Sequence, residues 1–171
     1  HYNMLSSEFM LKTFLGMEEG KEVDLAYMPL YFVGGQLIIM LRALLRGSTL
    51  IIFTTPDPDD ILSAAEKYKA TIFVGAPSMY EILKDYDKTD RVNWKRFKYL
   101  LAGADALLED TAKGWERRTN TKLHECWGMT ETSPTGTVST TSARLERLSA
   151  DERRAELLKQ GRPPWGVELK I

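Results

Sequence analysis

One stretch of this sequence concentrates side chains that could do chemistry. Trp127-Gly128-Met129-Thr130-Glu131-Thr132-Ser133-Pro134 holds an aromatic ring, a glycine, a hydroxyl and a carboxylate within five residues. An aromatic face can stack on a purine. Glycine lets backbone approach a ligand closely. A threonine hydroxyl can hydrogen-bond a phosphate oxygen, and a carboxylate can hold Mg2+ alongside substrate phosphates. Together these are parts of a nucleotide site. The residues alone leave a second reading open, in which Trp-Gly is a packed turn and Thr-Glu a capping pair.

The elements around this stretch must position it. Short β-branched runs alternate with helical patterns, the arrangement of βαβ units. Strands are expected at Asp24–Met28, Thr49–Phe53, Thr71–Val74, Tyr99–Leu101, Lys122–Glu125 and Val167–Ile171. Helical patterns cover Asn3–Leu15, Gly34–Arg46, Pro77–Lys84 and Leu107–Arg118. Asp57-Pro58-Asp59-Asp60 opens another helix, with Asp57 as cap, proline in the first turn and acids at the positive end of the dipole. Its inner face is read as Ile61, Ala65 and Tyr68. Ser149-Ala150-Asp151-Glu152 is a capping box for a charged helix ending near Lys159, with Ala155, Leu157 and Leu158 docking. Asp85–Asn93 reads as a polar loop and Gly128–Ser142 as a functional one. The fold class is α/β, a largely parallel sheet with helices packed against it. Ligands in such sheets sit beyond the C-terminal ends of the strands.

Composition excludes other classes. The 171 residues carry 23 Lys+Arg and 24 Asp+Glu, a net charge of −1, without the basic excess of a nucleic-acid binder. A single cysteine excludes a disulfide framework, and two histidines exclude a multi-histidine metal centre. The longest apolar stretch, Leu37–Leu45, is broken by Arg42 and falls far short of the ~20 residues that span a membrane, so no transmembrane segment is expected. With no secretory signal in the opening residues, the expected setting is cytoplasmic. The chain opens on His1 and closes on Ile171 inside an expected strand, so both ends read as cut from something longer.

The stretch Trp127–Glu131 resembles the aromatic-Gly-x-Thr-Glu signature of the adenylate-forming, AMP-binding enzymes: acyl-CoA synthetases, luciferases and peptide-synthetase adenylation domains. Other segments follow in that family's order. His1–Met4 resembles the segment after its phosphate loop, and Met28-Pro29-Leu30-Tyr31-Phe32-Val33-Gly34-Gly35 its Leu-Pro-Leu-Phe-His-x-x-Gly segment. Val74–Met79 resembles its Gly-Val-Pro turn, Ala102–Leu107 its Ser-Gly-Gly-Ala-Pro-Leu, and Gly161–Glu168 its Gly-Arg-Pro-x-Pro-Gly-Val-Glu. The sequence around His124–Glu131 and Lys159–Pro163 is most like medium- to long-chain fatty-acid–CoA ligases.

The resemblance implies a two-step reaction on a fatty acid or other small carboxylic acid, with ATP, Mg2+ and coenzyme A. It makes the chain, 1–171, a central part of the AMP-binding N-terminal domain, without the phosphate loop and the C-terminal domain and inactive alone. It implies that Trp127 stacks on adenine beside Gly128, with the Gly103-Ala104-Asp105 backbone on the other face. Thr130 would contact the α-phosphate, and Glu131 would hold the metal. Phe32 and Gly34 would border the acyl pocket, with Gly75 and Pro77 shaping its wall. Phe32 stands where the family often has histidine, so its role would be steric. Asp105 competes between ligand contact and capping the helix near Leu107. Another acid-activating ligase (an aryl-CoA ligase or an adenylation domain) or a non-catalytic α/β binding module are the alternatives, and a homodimer stays open.

The remaining conspicuous residues have structural readings. His124 and Cys126 are assigned to packing, Arg144–Arg154 to a solvated face, and the Met and Phe residues of the first segment (Met4, Phe9, Met10, Phe14) to the core.

Overall fold

A computed structural model describes residues 1–55, 57–140 and 143–170. Helix α1 (Tyr2–Leu15) precedes strand β1 (Val23–Ala26). A π-helical segment (Gly34–Leu41) runs directly into α2 (Arg42–Arg46), followed by β2 (Thr49–Ile52), α3 (Pro58–Lys67), β3 (Ile72–Gly75) and α4 (Pro77–Asp85). Then come β4 (Tyr99–Ala102), α5 (Glu109–Thr119), β5 (His124–Gly128), β6 (Thr135–Val138), α6 (Ala143–Glu146) and α7 (Ala150–Leu157). The strands form one sheet in the order β2-β1-β3-β4-β5-β6. All neighbours are parallel except β5 and β6, which are antiparallel.

Alternation along the strands feeds two cores, because successive side chains point to opposite faces. Phe73 and Leu100 face α3, α4 and α5, where Ile61, Tyr80, Leu83 and Trp115 are buried. Ile72, Val74 and Leu101 face α1 and the π-helix, against Leu11, Leu15 and Ile39. The first core carries an aromatic stack: Tyr80 meets Trp115 edge-on at 5.1 Å between ring centroids, and Trp115 meets Trp94 at 4.6 Å. Such pairs add about 0.5–1.5 kcal/mol each beyond burial.

The caps read from the sequence are in place. The Asp57 carboxylate accepts from the Asp60 amide at 2.9 Å. Ser149 and Glu152 exchange their capping bonds at 3.3 and 3.0 Å. Other expectations need correction. The stretch Gly34–Arg46 is helical, but its first eight residues are wound as a π-helix. In α1 the buried stripe is Ser7, Glu8, Leu11 and Leu15, while Phe9 is 71% exposed and Met4 also faces outward. Glu8 turns inward there to contact Arg46 of α2. Tyr68 ends α3 exposed, with Leu62 and Ala64 buried in its place. Ala155 is exposed on α7, where Leu157 is buried and Leu158 half-buried. Asp85–Asn93 is no plain polar loop: 3-10 turns at Thr89–Arg91 and Trp94–Arg96 bury Trp94, whose indole donates to the Thr89 carbonyl at 2.9 Å. Residues 167–170 are not in a strand; the pairing nearby is an isolated bridge between Arg162 and Val138. Residue 171, like 141 and 142 of the expected loop, lies outside the described residues.

The face under the π-helix and α2 holds buried charge. Arg42 contacts Asp24 of β1, and Arg46 contacts Glu8 of α1, all four side chains nearly solvent-free. Burial outweighs the neighbouring arginines and raises the Glu8 carboxyl from 4.5 to about 7. Folded Glu8 therefore keeps its proton over a range in which the unfolded chain releases it. The resulting stabilisation is full below pH 4.5 and is lost as pH rises through about 7. Thermal unfolding of the full-length protein between pH 4.5 and 7.5 should show this loss, up to about 3 kcal/mol. Glu8→Gln should flatten the slope; an unchanged slope in that variant would assign the pH dependence to other groups.

Candidate active site

The C-terminal ends of β1, β3, β4 and β5 open into one cavity of about 330 Å³, roofed by α1 and the π-helix. Its mouth is lined by Gly103, Ala104, Trp127, Gly128, Thr130 and Glu131, and its interior by Leu11, Leu15, Met28, Ile38, Val74 and Leu101. Phe32 and Gly34 line it as well. Eight of the residues singled out in the sequence thus share a single space. Three do not line it. Gly75 packs at the end of β3 against Phe73 and Tyr80, Pro77 is buried in the first turn of α4, and Asp105 is exposed beside the mouth. Asp105 does not cap α5 either: its carboxylate accepts from the adjacent Ala106 amide at 2.8 Å, and the cap position belongs to Leu108.

Close backbone approaches build the mouth. A Cβ on Gly128 would lie 1.7 Å from the Pro134 carbonyl oxygen, and one on Gly103 would lie 2.6 Å from Cys126 Sγ. Those two glycines let the β5–β6 hairpin fold back and β4 lie against β5. Ala104, after Gly103, has φ +72°, a left-handed conformation that costs a non-glycine residue about 1–2 kcal/mol. Gly35 is equally obligatory in the roof, since a Cβ would lie 2.2 Å from the Pro29 carbonyl oxygen. Strand β5 ends three residues beyond the end its sequence pattern suggests, so Trp127 and Gly128 belong to a strand. Strand β6, inside the expected loop, pairs with it. Only that pairing places Gly136 under the Trp127 ring, where a Cβ would lie 2.3 Å from a ring carbon.

Beyond β5 the chain makes a 3-10 turn over Thr130–Thr132. Thr132 pins it, accepting from the Met129 amide at 3.0 Å and donating to the Pro134 carbonyl at 2.8 Å. Capping therefore falls to Thr132 and not to a Thr130–Glu131 pair. Among the described residues Glu131 forms no ion pair, and none of them form a group of three or more His, Cys, Asp and Glu that could hold a metal. A divalent ion here would take this one protein carboxylate, with phosphate and water oxygens completing its shell, which suits Mg2+.

The neighbours of the site are structural. His124 is buried, its Nδ1 hydrogen-bonded to the Ser139 carbonyl at 3.1 Å, and burial lowers its pKa. Burial pushes the Cys126 thiol up to about 12, far from an activated thiolate. Of the Arg144–Arg154 cluster, Arg153 donates to the Leu145, Glu146 and Leu148 carbonyls and Arg154 pairs with Glu116 and Asp151. Two polar residues of the site region escaped the sequence reading. Glu125 is buried and accepts from Gln160 at 2.7 Å. Arg42 lines the cavity, and its signal was a lone charge inside an apolar run.

Gly136→Ala should displace the Trp127 ring without unfolding the sheet. Iodide quenching of tryptophan fluorescence, with Trp127→Phe as the reference for assignment, should reveal a more accessible Trp127. An unchanged quenching profile would mean that the ring does not rest on Gly136.

The description of the AMP-binding enzymes matches residues 1–171. A long-chain-fatty-acid–CoA ligase of Bacillus subtilis is 30% identical over 135 residues, which is 78% of this chain and 24% of that protein. A medium-chain-fatty-acid–CoA ligase of Ectopseudomonas oleovorans is 58% identical over 101 residues, 59% of this chain and 18% of that protein. The fold matches the crystal structure of a long-chain-fatty-acid–CoA ligase from Archaeoglobus fulgidus with a TM-score of 0.75, at 18% identity over 96% of this chain and 32% of the other. ATP-bound MatB from Rhodopseudomonas palustris matches with a TM-score of 0.70, at 25% identity over 80% of this chain and 26% of the other. The chain spans about a quarter of the length of the curated long-chain relatives. With its largely parallel sheet and its cavity at the strand ends, this chain belongs to the AMP-binding, adenylate-forming enzyme family.

Proposed function

We propose that these residues form the central part of the N-terminal domain of a fatty-acid–CoA ligase working in the cytoplasm. The observation that carries this reading is the continuity of the cavity. A mouth with an aromatic ring, a hydroxyl and an unpaired carboxylate opens into an apolar interior. A nucleotide and an acyl chain would meet there. The identity with a medium-chain ligase supports a fatty acid over an aryl acid.

The first step joins the acid's carboxylate to the α-phosphorus of ATP, giving acyl-AMP and releasing pyrophosphate. The second joins the coenzyme A thiolate sulfur to the acyl carbon and releases AMP. An anion must attack a polyanion, so charge neutralisation and alignment dominate the barrier. Trp127 offers its free face to adenine, while the Gly103–Ala104 backbone borders the other side. Thr130 donates its hydroxyl to the α-phosphate. Glu131 would hold Mg2+, which neutralises phosphate charge when bound. Phe32 and Gly34 border the acid.

Two measurements on the full-length enzyme test this. Glu131→Gln keeps size but removes charge on an exposed turn, so melting should change little. ATP–pyrophosphate exchange should fall by about 100-fold or more, the scale of losing one electrostatic stabiliser. Near-normal exchange would refute the metal role. Phe32→Ala should shift the preference among acids by about tenfold, since one methylene in an apolar pocket is worth roughly 1–3 kcal/mol. An unchanged ranking would place Phe32 outside the acid pocket.

A further inference from the structure

The cavity has a closed end, and the register of the sheet locates it. Asp24, Ile72 and Tyr99 form one row across β1, β3 and β4, on the face turned to the roof. Val74 and Leu101 form the next row towards the mouth, and Gly103 follows two residues beyond Leu101. Val74, Leu101 and Gly103 line the cavity, whereas Asp24, Ile72 and Tyr99 do not. The space therefore ends between the first row and the second. Arg42 comes down from the roof at that level, lines the cavity and contacts Asp24. On the α1 side the Tyr99 hydroxyl donates to the Leu15 carbonyl. We propose that Arg42 is a specificity-determining residue: it forms the floor of the acid pocket and limits the acid to about ten carbons.

The length follows from strand geometry. Tyr99 and Gly103 are four residues apart along β4 and its end. At ~3.3 Å per residue of parallel strand, that is about 13 Å. An extended chain advances ~1.2 Å per bond, so a tail with its carboxylate at the level of Gly103 reaches the floor after about ten carbons. Leu11, Leu15 and Ile38 line the walls, which suits hydrocarbon. The floor resists displacement. Arg42 is nearly solvent-free and holds its charge against Asp24, itself buried. A longer tail would have to separate that pair and leave two charges buried alone, which outweighs the gain from burying a further methylene. A hydrocarbon side chain in the same place could repack around a longer tail. A paired charge cannot exchange its partner for an alkyl group. The Arg42 backbone is held as well, because the π-helix passes into α2 at that residue.

This assignment rests on the cavity being the acid site. The test uses the full-length enzyme and a series of straight-chain acids from four to eighteen carbons. In ATP–pyrophosphate exchange, kcat/KM should rise up to about ten carbons and fall by about tenfold or more by fourteen. The double variant Asp24→Asn/Arg42→Ala removes both charges together, so that no lone charge is buried, and it opens the floor. Its optimum should move to longer acids by about two to four carbons, because the space left by truncation relaxes only in part. A second measurement needs no variant. A ten-carbon acid with a photoreactive diazirine at its terminal carbon, bound with ATP and irradiated, should label the peptides that carry Leu15 or Arg42. Should the double variant not fold, the label decides. Undiminished use of acids of fourteen to eighteen carbons, an optimum unmoved in the folded double variant, or a label confined to peptides of the mouth would each overturn the floor. In those cases exchange still responds to acids, and the acid-activating reading stands. Exchange that responds to no acid sinks that reading along with the floor.

Discussion

A buried contact between Asp24 and Arg42 ties the roof of the cavity to the sheet beneath it. The roof is a helix laid across the C-terminal ends of parallel strands, and it has to stand off from them to leave a cavity. Apolar packing alone would favour closing that space, because voids lose dispersion contacts. A pair of buried charges sets a different requirement. Removing one partner strands the other at a cost of about 3–5 kcal/mol, so the helix is held at the register where they meet. A second contact, Arg46 with Glu8, joins the same helix to α1. Together the two contacts fix three elements around the cavity: β1, α1 and the π-helix with α2.

The mouth depends on a different constraint, the absence of side chains. Gly128, Gly103 and Gly35 each lie where a Cβ would collide with backbone or a neighbouring side chain. These approaches turn the chain sharply at the strand ends and leave Trp127, Thr130 and Glu131 around one opening. Polar groups not needed for folding remain available: Thr132 closes the turn, which leaves the Thr130 hydroxyl and the Glu131 carboxylate facing solvent. Stability and binding chemistry are thus assigned to adjacent residues of one short turn.

Much of this was legible in the sequence. Periodicity located the five parallel strands, because each is short, β-branched or apolar and bounded by turn residues. Caps at Asp57 and Ser149 were readable because capping is local chemistry within four residues. The motif order carried the family, and Trp127–Glu131 the candidate nucleotide edge. Strand β6 was hidden. Thr135–Val138 looks like loop in composition, and it becomes a strand only because β5 offers it an antiparallel partner.

What the sequence by itself determined is the fold class, the five parallel strands and the residues of the mouth, since these follow from local patterns and short motifs. Tertiary structure decided which face of α1 is buried. Helical spacing of Met and Phe pointed one way, but Glu8 turns inward to contact Arg46, far along the chain, and Phe9 stays outside. Tertiary structure also decided that Gly75 and Pro77 stay out of the cavity while Arg42 enters it. A lone arginine in an apolar run is conspicuous in sequence, but its meaning depends on Asp24, eighteen residues away on the strand beneath. Pairings between distant residues carry no local signature, because they depend on how the elements pack and not on what each segment prefers alone.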